Sequence, residues 1–541
     1  MRIALVSLAL VLASSAFAKS TPRSTCLAAS GSEATACLES YLGGSSADPA
    51  FTDAAVRDNC SDETIYALGG LGVDNLVLVL RNACADFGHE LLVEATPAQP
   101  TSSVTATLKT DAHRRKCSAL VPKLLGTIRK RTIALLGPQC AVRAAKGQRC
   151  LRTRQDAKAV AVANKVAKRI AKVCASDYAS LGLPPVEELV ATYRDRVRHF
   201  AQLVYPPNDL GPSADPGPFP VGVRTLELAD QARMNVQGTG PRPVTVEIWY
   251  PSTPEAVTGV ERYVVNLFGF DVARTPTYRD VGRANGPFPI VLFSHGNAGI
   301  RFQSIFLASH LASHGYIVVS PDHHGNTFLD IGAGIVDTQS AVNRPLDMRF
   351  ILDEILAHNA TPDDFLRGAI DPARIGMSGH SFGGYTTFAL AAGPYADARI
   401  GAFLPLAPAT IFDDAFFQGI TAPILIQGGS LDVTTPFDSQ QLAPYEHLVS
   451  GANVVGLAEI LGAGHFTFSD VCEVPRDLVG FIGGFGEACI PEDLPWRHAH
   501  DLIDYLALNF FDATLNADAD ALARLDPAAV TALGDIAYQR K

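Results

Sequence analysis

From residue 221 onward, short apolar runs rich in β-branched residues alternate with longer segments in which apolar residues recur every three or four positions. Runs of the first kind predict strands, and segments of the second kind predict helices. Such alternation predicts an α/β fold with a mostly parallel sheet and helices on both faces. The tail 512–541 is expected to add short helices. The predicted strands are 244–250, 289–293, 316–320, 374–377, 401–406, 423–427 and 454–461, and the predicted helices are 302–314, 342–358, 382–392 and 501–511.

The chain before residue 205 has a different pattern. Residues 19–200 are rich in Ala, Leu, Lys and Arg and show helical periodicity, for example over 157–174. A dense run of prolines and glycines over 205–220 is typical of a linker. We therefore predict a Cys-rich, basic helical domain over 19–204, a linker over 205–220, and an α/β domain with its tail over 221–541.

The first 18 residues are typical of a signal peptide. Met1 and Arg2 precede an apolar run, and Ala16-Phe17-Ala18 is a small-x-small cleavage site. A short membrane anchor is the alternative, but the run is shorter than the roughly 20 residues that span a bilayer. We expect cleavage after Ala18, export to the periplasm or the exterior, and no transmembrane span.

Charge divides the chain in the same way as the pattern does. The formal net charge is −11, but residues 111–200 hold 20 Lys and Arg against 6 Asp and Glu, whereas residues 201–541 hold 18 against 38. The basic part could make weak contact with a polyanion such as an anionic lipid surface or cell-wall polymer, and nucleic acid is not an expected partner. The favoured alternative is a solvated helical module that docks on the acidic domain.

The ten cysteines all follow the predicted cleavage site, and an even number in an exported chain favours disulfides. Cys117 and Cys140 are 23 residues apart, and Cys150 and Cys174 are 24 apart. Two helices of these lengths in a hairpin would pair Cys140 with Cys150 and Cys117 with Cys174. The same interval recurs at 37, 60 and 84, where the pairing is left open.

The stretch Gly379-His380-Ser381-Phe382-Gly383 has the form G-x-S-x-G. It follows an apolar strand and precedes a predicted helix, which is the setting of a nucleophile elbow. Glycines flank the serine because a side chain would clash in so tight a turn. We predict that Ser381 is a nucleophile; the alternative is a glycine-rich turn with an incidental serine.

A serine nucleophile needs a histidine base and an acid that orients it. Asp432 follows the predicted strand 423–427, and His465 follows the strand 454–461, in the order Ser, Asp, His. Asp438 is the nearest rival acid, and Asp432 could instead cap the segment that starts at Thr434. The other histidines that we weighed fit this order less well: 323 and 324 precede the serine, and 498 and 500 fall where the closing helix begins.

The reaction also needs amide donors for a developing oxyanion. We expect these donors to be the backbone N–H groups of Phe382, directly after the serine, and Asn297, in the loop after the strand 289–293. His295 in that loop is expected to be structural.

Six segments of the chain form a recognisable set. They are Val223-Arg224-Thr225, Val246-Glu247-Ile248-Trp249-Tyr250-Pro251, Phe293-Ser294-His295-Gly296, Leu311-Ala312-Ser313-His314-Gly315-Tyr316, Gly379-His380-Ser381-Phe382-Gly383-Gly384 and Gly464-His465-Phe466. Together they resemble the dienelactone-hydrolase-like α/β-hydrolases, and within them the platelet-activating-factor acetylhydrolase family and the bacterial cutinase-like polyester hydrolases. The resemblance covers about 218–512 and implies the α/β-hydrolase fold and a serine esterase.

The position of the acid departs from one branch of that group. In the animal acetylhydrolases the acid follows the strand directly after the elbow helix, but here that strand ends Phe403-Leu404-Pro405-Leu406-Ala407-Pro408, without a carboxylate. Asp432 stands one strand later, as in the polyester hydrolases. Dienelactone hydrolases resemble cysteine enzymes at the elbow, so Ser381 argues against lactone specificity.

We therefore expect an exported serine carboxylester hydrolase that acts on short-chain acyl esters or the acyl groups of phospholipids. The alternatives are a polyester hydrolase, a serine peptidase or amidase, and a catalytically silent binding protein. No metal or cofactor is implied. A Cys472–Cys489 bridge could brace the loop of His465, or merely staple a surface excursion.

Overall fold

The computed structural model describes residues 53–60, 112–136, 152–174, 183–204, 212–267, 270–473 and 494–541, with isolated positions between 26 and 84 and at 178, 181 and 210. The predicted signal peptide, Cys140, Cys150 and Cys489 lie outside the described residues. The chain divides into two compact units, one drawn from 1–68 and 80–207 and the other from 69–79 and 208–541. Among the described helices, none combines the length and the apolar character that a membrane span needs.

The first unit is mostly helical where it is described. Its helices are α1 (Ala54–Asn59), α2 (Ala112–Leu136), α3 (Arg152–Cys174) and α4 (Val186–Val204). Apolar residues at three- and four-residue spacing face inward, so that α2, α3 and α4 pack on one another. The buried positions include Val121, Leu125 and Ile128 on α2, Ala159, Ala163, Val166 and Ile170 on α3, and Tyr193, Val197 and Phe200 on α4.

Disulfides tie this unit together. Cys117 on α2 is bonded to Cys174 at the end of α3, with 5.2 Å between their Cα atoms. The pairing left open by the sequence is Cys26 with Cys60 and Cys37 with Cys84. The predicted Cys140–Cys150 bridge falls outside the described residues.

The second unit is built on one sheet of eleven strands in the order β11-β10-β9-β8-β7-β5-β6-β2-β1-β4-β3. The six strands from β10 to β6 in that order are parallel, and β2 and β11 join their two ends in antiparallel fashion. The strands are β1 (Val221–Met234), β2 (Pro241–Pro251), β3 (Arg262–Leu267), β4 (Phe270–Arg279), β5 (Phe288–Ser294), β6 (Ile317–Pro321), β7 (Ile370–His380), β8 (Ala402–Leu406), β9 (Ile424–Gly429), β10 (Val455–Ile460) and β11 (Ile536–Arg540).

Helices connect and cover these strands. They are α5 (Pro254–Val257), α6 (Ile305–Ser313), α7 (Phe328–Gly332), α8 (Ser340–Ala360), α9 (Phe382–Ala391), α10 (Asp414–Gln418), α11 (Ala443–His447), α12 (Trp496–Leu515), α13 (Ala519–Arg524) and α14 (Pro527–Thr531). Shorter helical turns lie at Gly393–Tyr395, Asp438–Leu442, His465–Phe468 and Asp470–Glu473.

Two apolar cores lie on opposite faces of the sheet. Successive side chains of a strand point to opposite faces, so Val291 and Phe293 of β5 pack with α6 and α12, while Ile290 and Leu292 pack with α8 and α9. This arrangement confirms the predicted α/β-hydrolase fold with helices on both faces. It also brings the carboxyl ends of β5, β7, β9 and β10 to one edge, where ligands bind in such sheets.

Candidate active site

Ser381 lies on a sharp turn between β7 and α9. Its backbone angles are φ 57° and ψ −117°, a left-handed conformation that is rare for a residue with a side chain. The turn is held by hydrogen bonds from Ser381 N–H to the carbonyl of Leu406 (2.9 Å) and from Ala409 N–H to the carbonyl of Ser381 (3.0 Å). Gly383 passes so close to the end of β5 that a Cβ there would overlap the carbonyl of Ser294. The backbone at this position is strained, as is common at functional sites.

The structure brings Ser381, His465 and Asp432 into one hydrogen-bonded row. His465 Nε2 lies 2.9 Å from Ser381 Oγ, and His465 Nδ1 lies 2.8 Å from Asp432 Oδ2. A carboxylate only accepts hydrogen bonds, so Nδ1 carries the ring proton and Nε2 accepts the hydroxyl hydrogen of the serine. All three residues are buried. The rival acid Asp438 is exposed and begins the helical turn Asp438–Leu442.

Asp432 has two sets of partners, because it also caps the segment that follows it. Its Oδ1 accepts a hydrogen bond from Thr435 N–H (2.6 Å), and its Oδ2 accepts one from Thr435 Oγ1 (2.7 Å). The capping alternative and the contact with His465 are therefore both present. Thr435 is buried and fixes the plane of the carboxylate beside the imidazole.

The loop that carries His465 is anchored by two other buried histidines. His380, inside the elbow, donates from Nε2 to the carbonyl of His465 (2.9 Å), and its Nδ1 accepts from Gln303 (2.8 Å). His500 on α12 donates from Nε2 to the carbonyl of Thr467 (3.0 Å). Burial lowers the pKa of His500 to about 3 and that of His380 well below its usual value. Both rings are neutral near pH 7 and act as hydrogen-bonding supports.

The two expected oxyanion donors lie on either side of Ser381. Phe382 is the first residue of α9, where helical N–H groups have no partner in the helix. The loop after β5 runs beside the serine: a methyl group on Gly296 would lie 3.4 Å from Ser381 Cβ. Within the described part of the chain, neither Phe382 N–H nor Asn297 N–H donates a hydrogen bond.

A second Ser-His-Asp set lies beneath this loop. Ser294 Oγ is 2.9 Å from His323 Nε2, and His323 Nδ1 is 3.0 Å from Asp347 Oδ2. All three side chains are fully buried, and Ser294 Oγ also accepts a hydrogen bond from Arg344 (2.9 Å). Burial lowers the pKa of His323 to about 3. Burial raises the pKa of Asp347, but hydrogen bonds from His323 and Arg242 outweigh this effect and lower it overall.

His295 of the same loop is buried and hydrogen-bonds within the loop, as expected for a structural residue. The sequence did not predict Gln303, Asn326 or Arg344, which contact this loop from three different segments. Their spacing in the chain carries no signal, since only the folded sheet brings them together.

Exposed apolar side chains occur at the edge of the sheet where Ser381 lies. Ile411 in the loop after β8 is 82% exposed, and Val433 and Leu431, on either side of Asp432, are 73% and 44% exposed. Within the described residues no three His, Cys, Asp or Glu side chains are grouped as metal ligands. Cys472, soon after His465, is disulfide-bonded, and its predicted partner lies outside the described residues.

Comparisons with known proteins identify relatives of the second unit. Residues 231–481 match the family model described as PETase, PET hydrolase-like. The cutinase of Thermobifida fusca (strain YX) is 26% identical over 262 residues, which are 48% of this chain and 77% of that protein. The bis(hydroxyethyl) terephthalate hydrolase of Streptomyces coelicolor is 28% identical over 44% of this chain and 69% of its own length. A solved structure of a ferulic acid esterase from Streptomyces cinnamoneus covers 59% of this chain and 96% of its own, with a TM-score of 0.46 and 24% identity.

Proposed function

We propose that this carboxylic ester hydrolase, whose residues 231–481 are PET hydrolase-like and cutinase-like, attacks its substrate with Ser381 and forms an acyl-enzyme. The supporting observation is that Ser381, on the turn between β7 and α9, is hydrogen-bonded to His465, which is hydrogen-bonded in turn to Asp432. The resemblance to platelet-activating-factor acetylhydrolases stays a prediction.

In the first half-reaction, Ser381 Oγ bonds to the ester carbonyl carbon while its proton passes to His465 Nε2. Asp432 accepts the Nδ1–H hydrogen bond and stabilises the imidazolium that forms. The carbonyl oxygen becomes an oxyanion, which the N–H groups of Phe382 and Asn297 stabilise. The carbon–oxygen bond to the alcohol then breaks, and the alcohol leaves with the proton from His465.

In the second half-reaction, a water molecule gives a proton to His465 Nε2 and bonds to the acyl carbon. A second oxyanion forms in the same position. When it collapses, the bond to Ser381 Oγ breaks, the proton returns to the serine, and the acid product leaves. The protein returns to its starting state without any other reactant.

The proposed substrates are extended apolar esters of the polyester type. Ile411, Val433 and Leu431 would cover apolar parts of a chain whose ester group lies at Ser381. The names of the cutinase and terephthalate-ester relatives support the same class. Short-chain acyl esters and phospholipid acyl groups are the substrates predicted from the sequence. They are the second candidate substrate class, and the experiment described below compares them with polyesters.

The chemistry is tested with a fluorophosphonate probe, which reacts with activated serines. Labelling should be lost in Ser381→Ala and kept in Ser439→Ala, a change of an exposed serine. Replacement of a triad serine should lower kcat by about a million-fold. Labelling that survives Ser381→Ala would exclude this serine as the nucleophile.

The substrate class is tested by comparing polyester films, 4-nitrophenyl esters of increasing chain length, phospholipid vesicles and 4-nitroanilides. We expect turnover of the film, and we expect Ile411→Ser and Val433→Ser to slow it more than they slow a soluble butyrate ester. Val449→Ser is the control, because this side chain is 40% exposed but precedes β10 at the other edge of the sheet. Release of fatty acid from the vesicles without hydrolysis of the film would favour phospholipid acyl groups as the substrate and would contradict the polyester proposal.

Export is also part of the proposal, since several disulfides are typical of proteins that fold outside the cytoplasm. Mass spectrometry of the exported protein should find Lys19 as its first residue.

Contact of the basic first unit with a polyanion stays a prediction. Salt-sensitive retention of the whole protein on a heparin matrix would support it, and no retention would remove it.

A further inference from the structure

Arg344, on α8, is fully buried and reaches the loop after β5 from beneath. Its Nη2 donates to Ser294 Oγ (2.9 Å) and to the carbonyl of His295, and its Nη1 approaches the carbonyl of Gly296 (3.5 Å). The last residue of β5 and the first two residues of the loop after it are therefore held by one guanidinium group.

The carbonyl of Gly296 determines where the next amide points. It also accepts a hydrogen bond from His295 Nδ1 (2.6 Å), which carries the ring proton because His323 N–H donates to Nε2 (3.1 Å). In a trans peptide the C=O and the following N–H point in opposite directions. Because Arg344 and His295 hold the carbonyl on the buried side, the N–H of Asn297 is directed to the exposed side.

Arg344 also contacts the surroundings of both expected oxyanion donors. Its Nη1 donates to Asn326 Oδ1 (2.5 Å), and Asn326 Nδ2 donates to Asn297 Oδ1 (2.8 Å). Its guanidinium carbon lies 4.8 Å from the centre of the Phe382 ring. A single side chain thus connects the residues that carry the two amides.

In the part of the chain that the structure describes, no carboxylate contacts the charged group of Arg344. Within the described residues it forms no ion pair, and its partners are carbonyl, hydroxyl and amide oxygens. Arg242, which is equally buried, instead pairs with Asp347 (2.8 Å) and Asp337 (3.3 Å). A buried positive charge beside the loop favours a negative charge that develops on the other side of it.

We propose that Arg344 is a positioning residue that presets the Asn297 amide and favours the oxyanion of the transition state. This inference rests on the proposed function, since it assumes that Ser381 attacks an ester carbonyl. Arg344 acts through the loop and does not touch the substrate.

The test uses the pair 4-nitrophenyl butyrate and its thionoester, in which sulfur replaces the carbonyl oxygen. Amide N–H groups bind O⁻ better than S⁻, so a working oxyanion hole favours the ester. The measured quantity is the ratio of kcat/KM for the ester to kcat/KM for the thionoester, and a working oxyanion hole makes this ratio high. Arg344→Met should lower kcat for the ester about 100-fold with little change in KM and should lower the ratio in parallel. Arg344→Lys keeps the positive charge but loses the planar guanidinium group with its several N–H donors, so kcat for the ester should fall about tenfold.

Arg283→Lys is the matched control, because this half-buried arginine also donates to main-chain carbonyl groups, those of Phe365, Ala284 and Arg367, but lies before the amino end of β5. It should lower the unfolding midpoint and leave the ratio unchanged. Folded Arg344 variants whose ratio equals that of the unchanged protein would overturn the proposal, even if both rates fall together. If neither Arg344 variant folds, Asn326→Ala is tested instead. The ratio of ester to thionoester kcat/KM should fall about threefold in this variant, and an unchanged ratio would overturn the proposal.

Failure of the proposed function looks different. In that case the unchanged protein would hydrolyse neither ester and Ser381 would not be labelled. A protein that is labelled and active but insensitive at Arg344 refutes only the positioning role.

Discussion

Gly383→Ala is the sharpest single perturbation of the elbow. A Cβ at this position would lie 2.6 Å from the carbonyl carbon of Ser294, would overlap its oxygen, and would lie 2.9 Å from the carbonyl oxygen of His295. These are main-chain atoms, which cannot rotate away as a side chain can. Relief therefore requires the elbow and the loop after β5 to move apart.

The required movement follows from these distances. Ordinary contact between a Cβ and a neighbouring atom begins at 3.4 Å, so relief of the 2.6 Å approach alone needs about 0.8 Å of movement, and relief of the closer overlap with the oxygen of Ser294 needs more. The amides of Phe382 and Asn297 lie on these two segments and would separate by at least about this amount. A misplacement near 1 Å costs about 100-fold in rate, and overpacking of this kind costs about 1–3 kcal/mol of stability.

The assay is the hydrolysis of 4-nitrophenyl butyrate, with thermal unfolding followed by circular dichroism. We expect kcat/KM to fall about 100-fold while the protein stays folded, with an unfolding midpoint a few degrees lower. Gly451→Ala is the control, because a Cβ there meets nothing within 4 Å and the residue is exposed before β10. Its effect should stay within about 0.5 kcal/mol and leave kcat/KM unchanged.

One outcome would refute the reasoning. If Gly383→Ala keeps more than a third of the kcat/KM and the same unfolding midpoint, then either the loop yields without cost or the spacing of the two amides does not govern the rate.

Three further predictions concern the acid, the buried histidines and a disulfide. Thr435→Val removes the hydroxyl that donates to Asp432 and should lower kcat about tenfold, whereas Thr435→Ser should keep most of it; equal rates would show that the backbone N–H alone holds the acid. Burial keeps several histidines neutral when folded, but the unfolded chain protonates them near pH 6.5, so the free energy of unfolding should fall between pH 6.5 and 5, by up to about 1.4 kcal/mol per pH unit for each histidine. Urea titrations at these pH values test this, and a flat profile contradicts it. The histidines are 295, 310, 323, 380 and 500. Cys174→Ser should destabilise the first unit by about 4 kcal/mol, measured as an earlier urea transition that Cys117→Ser reproduces; an unmoved transition would mean that the bridge does not stabilise it.

The central strands could be predicted because burial on both faces makes them continuous apolar runs. Val318 and Val319 of β6, or Leu425 and Ile426 of β9, are almost completely buried and stand out in the sequence. The prediction of a carboxylic ester hydrolase followed from the order of motifs between these strands, and the relatives confirm it.

Strands at the margins of the sheet could not be predicted in the same way. β1 carries exposed and half-buried positions over most of its length, so its pattern resembles a polar loop. β11 has five residues in a tail for which only helices were predicted; α13 and α14 are there, but Ile536 and Tyr538 alternate with exposed neighbours and pair with β10. Their pairing depends on the strand beside them.

The residues of the site also divide into those that the sequence could predict and those that it could not. Ser381, Asp432 and His465 could be proposed because each follows a buried strand in a fixed order along the chain. Arg344 could not, because a charged residue inside a helix normally indicates an exposed face. Its burial depends on Ser294 and Asn326, which are 50 and 18 residues away in the sequence.

The buried set of Ser294, His323 and Asp347 has a consequence for the recognition of hydrolases by geometry. Among the residues that the structure describes, serine, histidine and carboxylate atoms lie in this hydrogen-bonded order at two places, with serine–histidine separations of 2.9 Å in both. Of these two serines, Ser381 keeps 9% of its surface exposed, whereas Ser294 is completely buried and its oxygen accepts a hydrogen bond from Arg344. Access for a substrate, rather than the spacing of three atoms, distinguishes the proposed nucleophile from a serine in a structural hydrogen bond.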